Sequence, residues 1–174
     1  IAEGGIMRES PVITKIEAIH YSHTLDEVDR DYNTFNMVYK PGVKSKQSGT
    51  LVRIHTDQGL TGEYPDVNGP TLAEIKILSS YLIGKNALTR ELIYNDLKRG
   101  SRHWAMLGMG IVDICLWDIA GKFYGEPLFR LLGGDLQPLK AYASTLHGDE
   151  NGGLTTVGDF EDFAHKCLQM GYQA

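Results

Sequence analysis

Asp113, Asp118 and Lys122 interrupt a run of apolar residues, and they are the first place in this 174-residue chain where chemistry could reside. Asp118 and Lys122 are four apart, so on a helix they share a face and can pair. A charge carried into an apolar layer needs such a partner. From the residues alone two readings stay open: a polar network that fixes the helix between two layers, or carboxylates that ligate a metal. The other reactive residue types are dispersed. His20, His23, His55, His103, His147 and His165 include no pair at ligand spacing on a helix and no His-Glu-x-x-His pattern. His165 falls on the outer part of an amphipathic stretch and is expected in solvent. There is no Gly-x-Ser-x-Gly elbow, no Walker loop and no Cys-x-x-Cys. Gly59-Leu-Thr-Gly62 and Gly133-Gly-Asp135 read as a hairpin turn and a helix stop rather than as phosphate cradles. Cys115 and Cys167 each sit inside an apolar helical pattern, which predicts two buried thiols in a reducing compartment.

The elements that would position these residues follow from hydrophobic periodicity. Val12 to Tyr21 is β-branched and partly alternating, a strand. His23 to Ser48 is polar and reads as a long loop, either functional or mobile at that length. Thr50 to Thr56 and Leu60 to Tyr64 form two more strands, joined through Asp57-Gln58-Gly59 as an antiparallel hairpin in which Gly59 supplies a positive φ. From Thr71 the period becomes helical through Leu72, Ile75, Leu78, Ser79 and Leu82, closing at Gly84. Thr89 is the expected cap of a second helix, with Glu91 in its first turn and Lys98 and Arg99 in its last. A third helix, about Met106 to Tyr124, is apolar on nearly every face and therefore expected between layers. Gly125 ends it, and Pro127 opens a short helical turn that Gly133-Gly134 ends. Leu139 to Ser144 reads as a strand and Leu146 to Val157 as a loop. Asp159 is the expected cap of a helix striped with Phe160, Phe163, Ala164, Cys167 and Leu168, ending at Gly171. Tyr172-Gln173-Ala174 would open the next strand. The fold class is α+β, a three-stranded antiparallel sheet with helices, followed by one βα unit that needs neighbours to cover its faces.

Composition narrows the function classes. The hydrophobic fraction is 42%, the charged fraction 22% and the net charge −5, with no Lys/Arg cluster. These values argue against a nucleic-acid partner or an anionic membrane surface. No stretch approaches the ~18 apolar residues of a membrane span. The opening Ile-Ala-Glu-Gly-Gly-Ile has no charged region followed by an apolar one, so it is not read as a signal peptide, and a cytoplasmic location is expected. Met7 is either a native start or an internal residue.

The run Gly108-Met-Gly-Ile-Val-Asp113-Ile-Cys-Leu-Trp117-Asp118-Ile-Ala-Gly121-Lys122, with Gly125-Glu-Pro127-Leu, Leu131-Leu-Gly133-Gly134 and Ala141-Tyr142-Ala-Ser144, resembles the enolase superfamily. The likeness is closest to its mandelate racemase/muconate lactonizing enzyme branch, and the hairpin ending Gly59-Leu-Thr-Gly62-Glu63 also looks like that family's. It extends over the chain from about residue 12. The resemblance implies an N-terminal capping domain with its helical linker over residues 1–134, and the start of an incomplete modified TIM barrel over 135–174. It implies a Mg²⁺-dependent enzyme that removes the proton α to a carboxylate with a Lys or His base, the metal stabilising the charge that develops. The family's first catalytic lysine strand would begin at Gly171-Tyr172-Gln173-Ala174. Its lysine and the Mg²⁺ ligands are expected beyond residue 174, so no catalytic or metal residue is carried over, and the fragment by itself is expected to be inactive. The lid can be carried over. Tyr32 and Phe35 in the long polar loop, and Tyr64 and Asp66 after the hairpin, are the implied substrate-binding residues of the lid. Ser144, at the end of the first barrel strand, is implied to contact the substrate carboxylate.

The implied partner is a small carboxylate, a hydroxy acid or acid sugar, and a homo-oligomer is expected. A polar lid offering Asp66, Asn68 and Tyr32 to hydroxyls favours dehydration over racemisation or cycloisomerisation. Two rivals remain: a family member that kept the fold as a non-catalytic binding or structural protein, and a complete small binding module. The second conflicts with the apolar stripe at Phe160, Phe163 and Leu168.

Overall fold

The alternation that marks Thr50 to Thr56 as a strand is present in full: Thr50, Val52, Ile54 and Thr56 are buried, and the residues between them are half-exposed. The computed structural model describes residues 9–148 and 154–173. The expectations for the opening segment with Met7, for Ala174 and for part of the loop after Leu146 lie outside the described residues. Three strands, β1 (Ile13–Arg30), β2 (Met37–Thr56) and β3 (Thr61–Tyr64), form one sheet in the order β1-β2-β3. Five helices follow: α1 (Gly69–Leu82), α2 (Arg90–Gly100), α3 (Leu107–Tyr124), α4 (Leu128–Leu131) and α5 (Val157–Gln169). These elements fall into two compact units. The first holds the described residues up to Tyr21 together with Gly49–Asp135. The second holds Ser22–Ser48 and the described residues from Leu136 onward.

In the first unit β2 and β3 pair antiparallel, Val52 opposite Tyr64 and Ile54 opposite Gly62. Gly59 takes φ +75° in the turn, as the sequence predicts. Arg53 pairs with Glu63 across the strands, and His55 Nε2 lies 3.1 Å from Glu17 of β1. α3 is the hub, packing on β3, α1, α2 and α4. Val112, Cys115, Leu116, Ile119 and Ala120 of α3 are at most 1% exposed, but Leu107 and Ile114 stay open, so the helix is buried on most of its faces rather than all. The approach of β3 to α3 is very close. A Cβ on Gly62 would land on the Cys115 carbonyl, so only glycine fits there. Ile13, Ile54, Ile75, Leu82 and Ile93 complete the core. Each such side chain contributes roughly 1.5–3 kcal/mol by leaving water.

Helix ends in this unit follow local chemistry, with some departures from expectation. Asn68 caps α1, its side chain accepting the Thr71 N–H at 3.0 Å. Thr89 precedes α2 but does not cap it; its hydroxyl donates back to the Asn86 carbonyl at 2.8 Å. α3 has no cap of its own, since Met106 at φ +58° offers none. Instead the buried Glu74 carboxylate of α1 accepts the Gly108 N–H at 2.9 Å, a negative charge at the positive end of the helix dipole. The Arg90 guanidinium lies 3.9 Å from the centre of the Trp117 ring.

The second unit corrects the sequence reading most. The polar stretch His23 to Ser48 is not a loop. β1 continues to Arg30 and β2 begins at Met37, so the stretch is a two-stranded ribbon with a short tip. Its polar, two-sided strands carry no hydrophobic signal. Ion pairs between Lys44 and Asp26 at 3.0 Å and between Lys40 and Asp29 at 3.6 Å join them, as does the Ser45 hydroxyl, which donates to the Val28 carbonyl at 2.6 Å. The strand expected over Leu139 to Ser144 is not formed, because no neighbouring strand hydrogen-bonds to it among the described residues. α5 is present, but its cap is Thr156 rather than Asp159. Asp159 is the N3 partner in a capping box, the Thr156 hydroxyl accepting its N–H while its carboxylate accepts the Thr156 N–H. Gly171 at φ +96° ends the helix, and the Tyr172 N–H donates to the Cys167 carbonyl, so Tyr172 finishes a helix rather than opening a strand. Both cysteines are free and buried, as expected.

Candidate functional site

The ribbon tip, residues 31–36, is organised by one carboxylate. Asp31 is 8% exposed, and its Oδ1 accepts the Phe35 N–H at 3.0 Å and the Asn36 N–H at 3.2 Å. Its Oδ2 accepts the Asn36 side-chain amide at 2.9 Å, while the Asp31 N–H donates to the Asn36 carbonyl. Burial pushes the Asp31 carboxyl up, but the donors from Asn36 and Phe35, with His147 nearby, outweigh it and hold the group below the usual carboxylate range. The turn is therefore fixed from inside, and it leaves Tyr32 and Phe35 at 77% and 79% exposure. Two large aromatic rings stand in water on a turn held by charge-assisted hydrogen bonds.

Ser144 lies in the same unit. It is exposed, and its carbonyl accepts a hydrogen bond from the Tyr39 hydroxyl at 3.1 Å. The Tyr39 ring packs on Phe163 of α5 with centroids 4.7 Å apart. A cleft of about 340 Å³ opens here, lined by Asp26, Tyr39, Ser144, Lys166 and Tyr172 among others. Its lining combines the Lys166 ammonium, the Ser144 hydroxyl and three phenols with the Asp26 and Glu27 carboxylates, a mixed polar surface. It lacks a nucleophile paired with a base.

Tyr64 and Asp66 belong to the first unit. Tyr64 ends β3 and is half-buried against the core; Asp66 is exposed, in the left-handed region at φ +60°. The following Val67 N–H donates to the Thr50 carbonyl at 2.8 Å and pins the turn to β2. The structure thus brings Tyr64 and Asp66 to one turn, puts Tyr32 and Phe35 on one tip, and sets Ser144 beside Tyr39. Sequence reasoning missed Asp31 and Tyr39. Asp31 and Asn33 ahead of a strand-forming run are a turn signal.

Asp118 resolves the alternative left open by the sequence. Its carboxylate accepts the Glu63 N–H at 3.1 Å and pairs with Lys122 at 2.8 Å, while Lys122 donates to the Thr61 carbonyl at 2.7 Å. The pair ties α3 to β3, the polar-network reading. Asp113 is raised by burial, which the nearby Arg90 charge opposes. Among the described residues no group of three His, Cys, Asp or Glu converges as a metal site, so magnesium does not fit the residues at hand. A cavity of about 420 Å³ in the first unit opens between the sheet and α1. It is walled by Ile16, Ala18, Val52, Leu72 and Ile75, with Glu17 and Lys76 beside them. None of the candidate residues lines it, and its apolar walls carry no catalytic arrangement. No helix among the described residues is long and apolar enough to cross a membrane.

These features can be set beside known proteins. A D-mannonate dehydratase of Caulobacter vibrioides is 35% identical over 133 residues, covering 71% of this chain and 31% of the relative. A D-galactarolactone cycloisomerase of Agrobacterium fabrum is 31% identical over 139 residues, 75% of this chain and 35% of the relative. The crystal structure of D-glucarate dehydratase from Agrobacterium tumefaciens, complexed with magnesium, superposes with a TM-score of 0.74 at 28% identity, covering 92% of this chain and 43% of that one. The chain spans about a third of the length of the curated relatives it matches. The family model for the mandelate racemase / muconate lactonizing enzyme N-terminal domain matches residues 28–133. With the three-stranded sheet, the α3 hub and the ribbon in place, the chain belongs to the mandelate racemase/muconate lactonizing enzyme branch of the enolase superfamily and carries its N-terminal capping domain.

Proposed function

We propose that this chain is the capping domain, residues 1–134, and the start of the barrel, residues 135–174, of an acid-sugar dehydratase that abstracts the α-proton of a carboxylate substrate with magnesium. The observation that carries the reading is the 35% identity over 133 residues to a D-mannonate dehydratase. A capping domain does no bond-breaking in this reading; it closes over the substrate, excludes water and selects. Tyr32 and Phe35 on the ribbon tip are apolar enough to seal a site against solvent. Tyr64 and Asp66 offer a phenol and a carboxylate to substrate hydroxyls, and Ser144 offers a donor to the carboxylate. Hydroxyl-rich acids suit such groups, because an unmatched buried donor or acceptor costs far more than a matched one gains. Magnesium and the base are assigned to the remainder of a protein of the relatives' length, which is taken to work as a soluble cytoplasmic homo-oligomer; this fragment alone is inactive.

The test uses the full-length protein with magnesium and a library of acid sugars that includes D-mannonate, D-galactonate and D-glucarate. Loss of the α-proton in deuterated water and formation of a 2-keto-3-deoxy acid are measured together. Magnesium-dependent formation of the keto acid from one of them is the expected result. Exchange without dehydration would reassign the protein as a racemase or epimerase. No exchange with any acid would sink the enzyme reading and leave a non-catalytic binding member.

A further inference from the structure

The ribbon tip is more strained than a link between two strands has to be. Thr34 holds φ +67°, a conformation that glycine adopts freely and a β-branched residue avoids. The rings of Tyr32 and Phe35, to either side of it, stand in water. A turn that only joined β1 to β2 would need neither the strain nor the rings, since two residues such as Asn-Gly suffice. A backbone held in such a conformation persists only where its surroundings over-determine it, and such places gather at ligand clamps.

Here the over-determining group is Asp31. Its carboxylate accepts the Phe35 N–H at 3.0 Å, the Asn36 N–H at 3.2 Å and the Asn36 side-chain amide at 2.9 Å. Its carbonyl accepts the Thr34 N–H at 3.0 Å. Asn33 Oδ1 shares the Phe35 N–H at 3.2 Å, and the Arg30 guanidinium donates to the Phe35 carbonyl at 3.3 Å. Phe35 is thus gripped at both its N–H and its C=O while its ring stays open. The bonds fix the backbone that carries the rings, and the strongest of them end on an ionised acceptor.

We propose that Asp31 is a positioning residue for substrate binding: through Phe35 and Asn36 it presets the turn in the form that presents Tyr32 and Phe35 to a bound polyhydroxy acid. This rests on the reading of Tyr32 and Phe35 as lid contacts. A tip ordered before substrate arrives need not be ordered at the expense of binding, so removing Asp31 moves that cost into KM. Asn36 is the partner the role requires, and the two can be exchanged. With an amide at position 31 and a carboxylate at position 36, the side-chain bond runs in the opposite direction. The oxygen at position 31 still accepts both backbone N–H groups.

The experiment compares four variants with wild type in the full-length protein with magnesium: Asp31→Ala, Asp31→Asn, the exchange Asp31→Asn with Asn36→Asp, and Tyr32→Ala with Phe35→Ala. KM and kcat are measured on whichever acid sugar of the library is turned over, and amide hydrogen exchange is followed at Phe35 and Asn36. Asp31→Ala should raise KM about tenfold, the size of one hydrogen bond to a charged group, with kcat within about twofold. It should quicken exchange at Phe35 and Asn36 by about tenfold or more and leave Ile54 and Gly62 unchanged. Asp31→Asn, which sets two amides against each other, should shift both readouts the same way. The exchange of the pair should restore both, a rescue that a general loss of stability would not show. Wild-type amide exchange at Phe35 and Asn36 in Asp31→Ala overturns the proposal. So does quickened amide exchange with wild-type KM, where Tyr32→Ala with Phe35→Ala does raise KM. If that ring variant leaves KM unmoved, it is the lid reading that fails, and the substrate role of Asp31 with it. Where no acid is turned over, amide exchange and its rescue still decide whether Asp31 holds the tip.

Discussion

The unit built around α3 and the unit built around the outer ribbon hold themselves together by different means. In the first, the buried side chains form one continuous apolar cluster from Ile13 through Val52, Ile75 and Leu97 to Ile119. In the second, the described buried hydrophobics are only Val38 and Cys167, while Leu139, Tyr142, Val157, Leu168 and Met170 stand in solvent. What orders the second unit is polar: the Asp31 turn, the Lys44–Asp26 and Lys40–Asp29 pairs, the Tyr39 to Ser144 bond and the α5 capping box. Burial stabilises globally and hydrogen bonds stabilise locally, so the first unit should unfold as one body and the second should open piecemeal. If the ribbon serves as the lid proposed above, that division is useful. A segment that must open and close is drawn from the low-stability end of a structure.

The sharpest way to break the contrast is at Gly62. Gly62→Val would drive a branched side chain into the Cys115 carbonyl, where neither backbone can yield. Loss of the native state of the first unit is expected, a cost above about 3 kcal/mol, read as the collapse of the near-ultraviolet signal of Trp117. Next comes a matched pair. Ile119→Ala should cost roughly 2–5 kcal/mol in denaturant unfolding, whereas Leu139→Ala, at a residue 92% exposed, should stay within about 0.5 kcal/mol. Equal effects at the two sites would erase the distinction between the units.

A smaller loss is expected at Asp118. Asp118→Ala strands the Glu63 N–H and leaves Lys122 only its bond to the Thr61 carbonyl. About 1–2 kcal/mol should be lost, reduced by the partial exposure of the pair, with β3 amides exchanging faster. The smallest effect belongs to α5. Thr156→Ala should cost about 1 kcal/mol of local helix stability, visible only in the exchange of α5 amides. The same box sets a pH dependence. Asp159 is lowered to about 2, first by the Thr156 N–H and then by the Thr155 hydroxyl, against an ordinary value of 3.8. A depressed carboxyl supports the fold fully above its ordinary value and loses that support as pH falls toward about 2. The support for α5 should therefore fade between those limits while the first unit, followed by Trp117, does not respond to this group. An NMR titration of the Asp159 carboxyl in wild type and in Thr156→Ala measures both.

Where burial sets the structure, the sequence could be read. The Gly59 hairpin, α1, α2 and α3 follow from alternation and helical period because each buries one face or more. The ribbon could not be read, since no residue from Ser22 to Arg30 is buried and its order comes from backbone pairing and cross-strand charges that leave no periodic trace. Leu139 to Ser144 failed in the opposite way: its apolar pattern is genuine, but a pattern makes no strand without a neighbour. The candidate site divides likewise. Tyr32, Phe35, Tyr64, Asp66 and Ser144 came from the resemblance. Asp31 and Tyr39 act on neighbours rather than on solvent, and the partner of Tyr39, the Ser144 carbonyl, is brought beside it only by the fold.

The ribbon has one more consequence, for how such a protein can diversify. Two paired strands can be lengthened or shortened by equal steps at the tip without disturbing the α3 hub. A change of one residue per strand turns every side chain to the opposite face, whereas a change of two restores the original facing. Substitutions and paired insertions between Ser22 and Ser48 can thus alter what the tip presents in discrete, reversible increments. Around Gly62, by contrast, the backbone-to-backbone contact tolerates almost no drift. Variation at the ribbon tip can therefore proceed while the contact between β3 and α3 stays fixed.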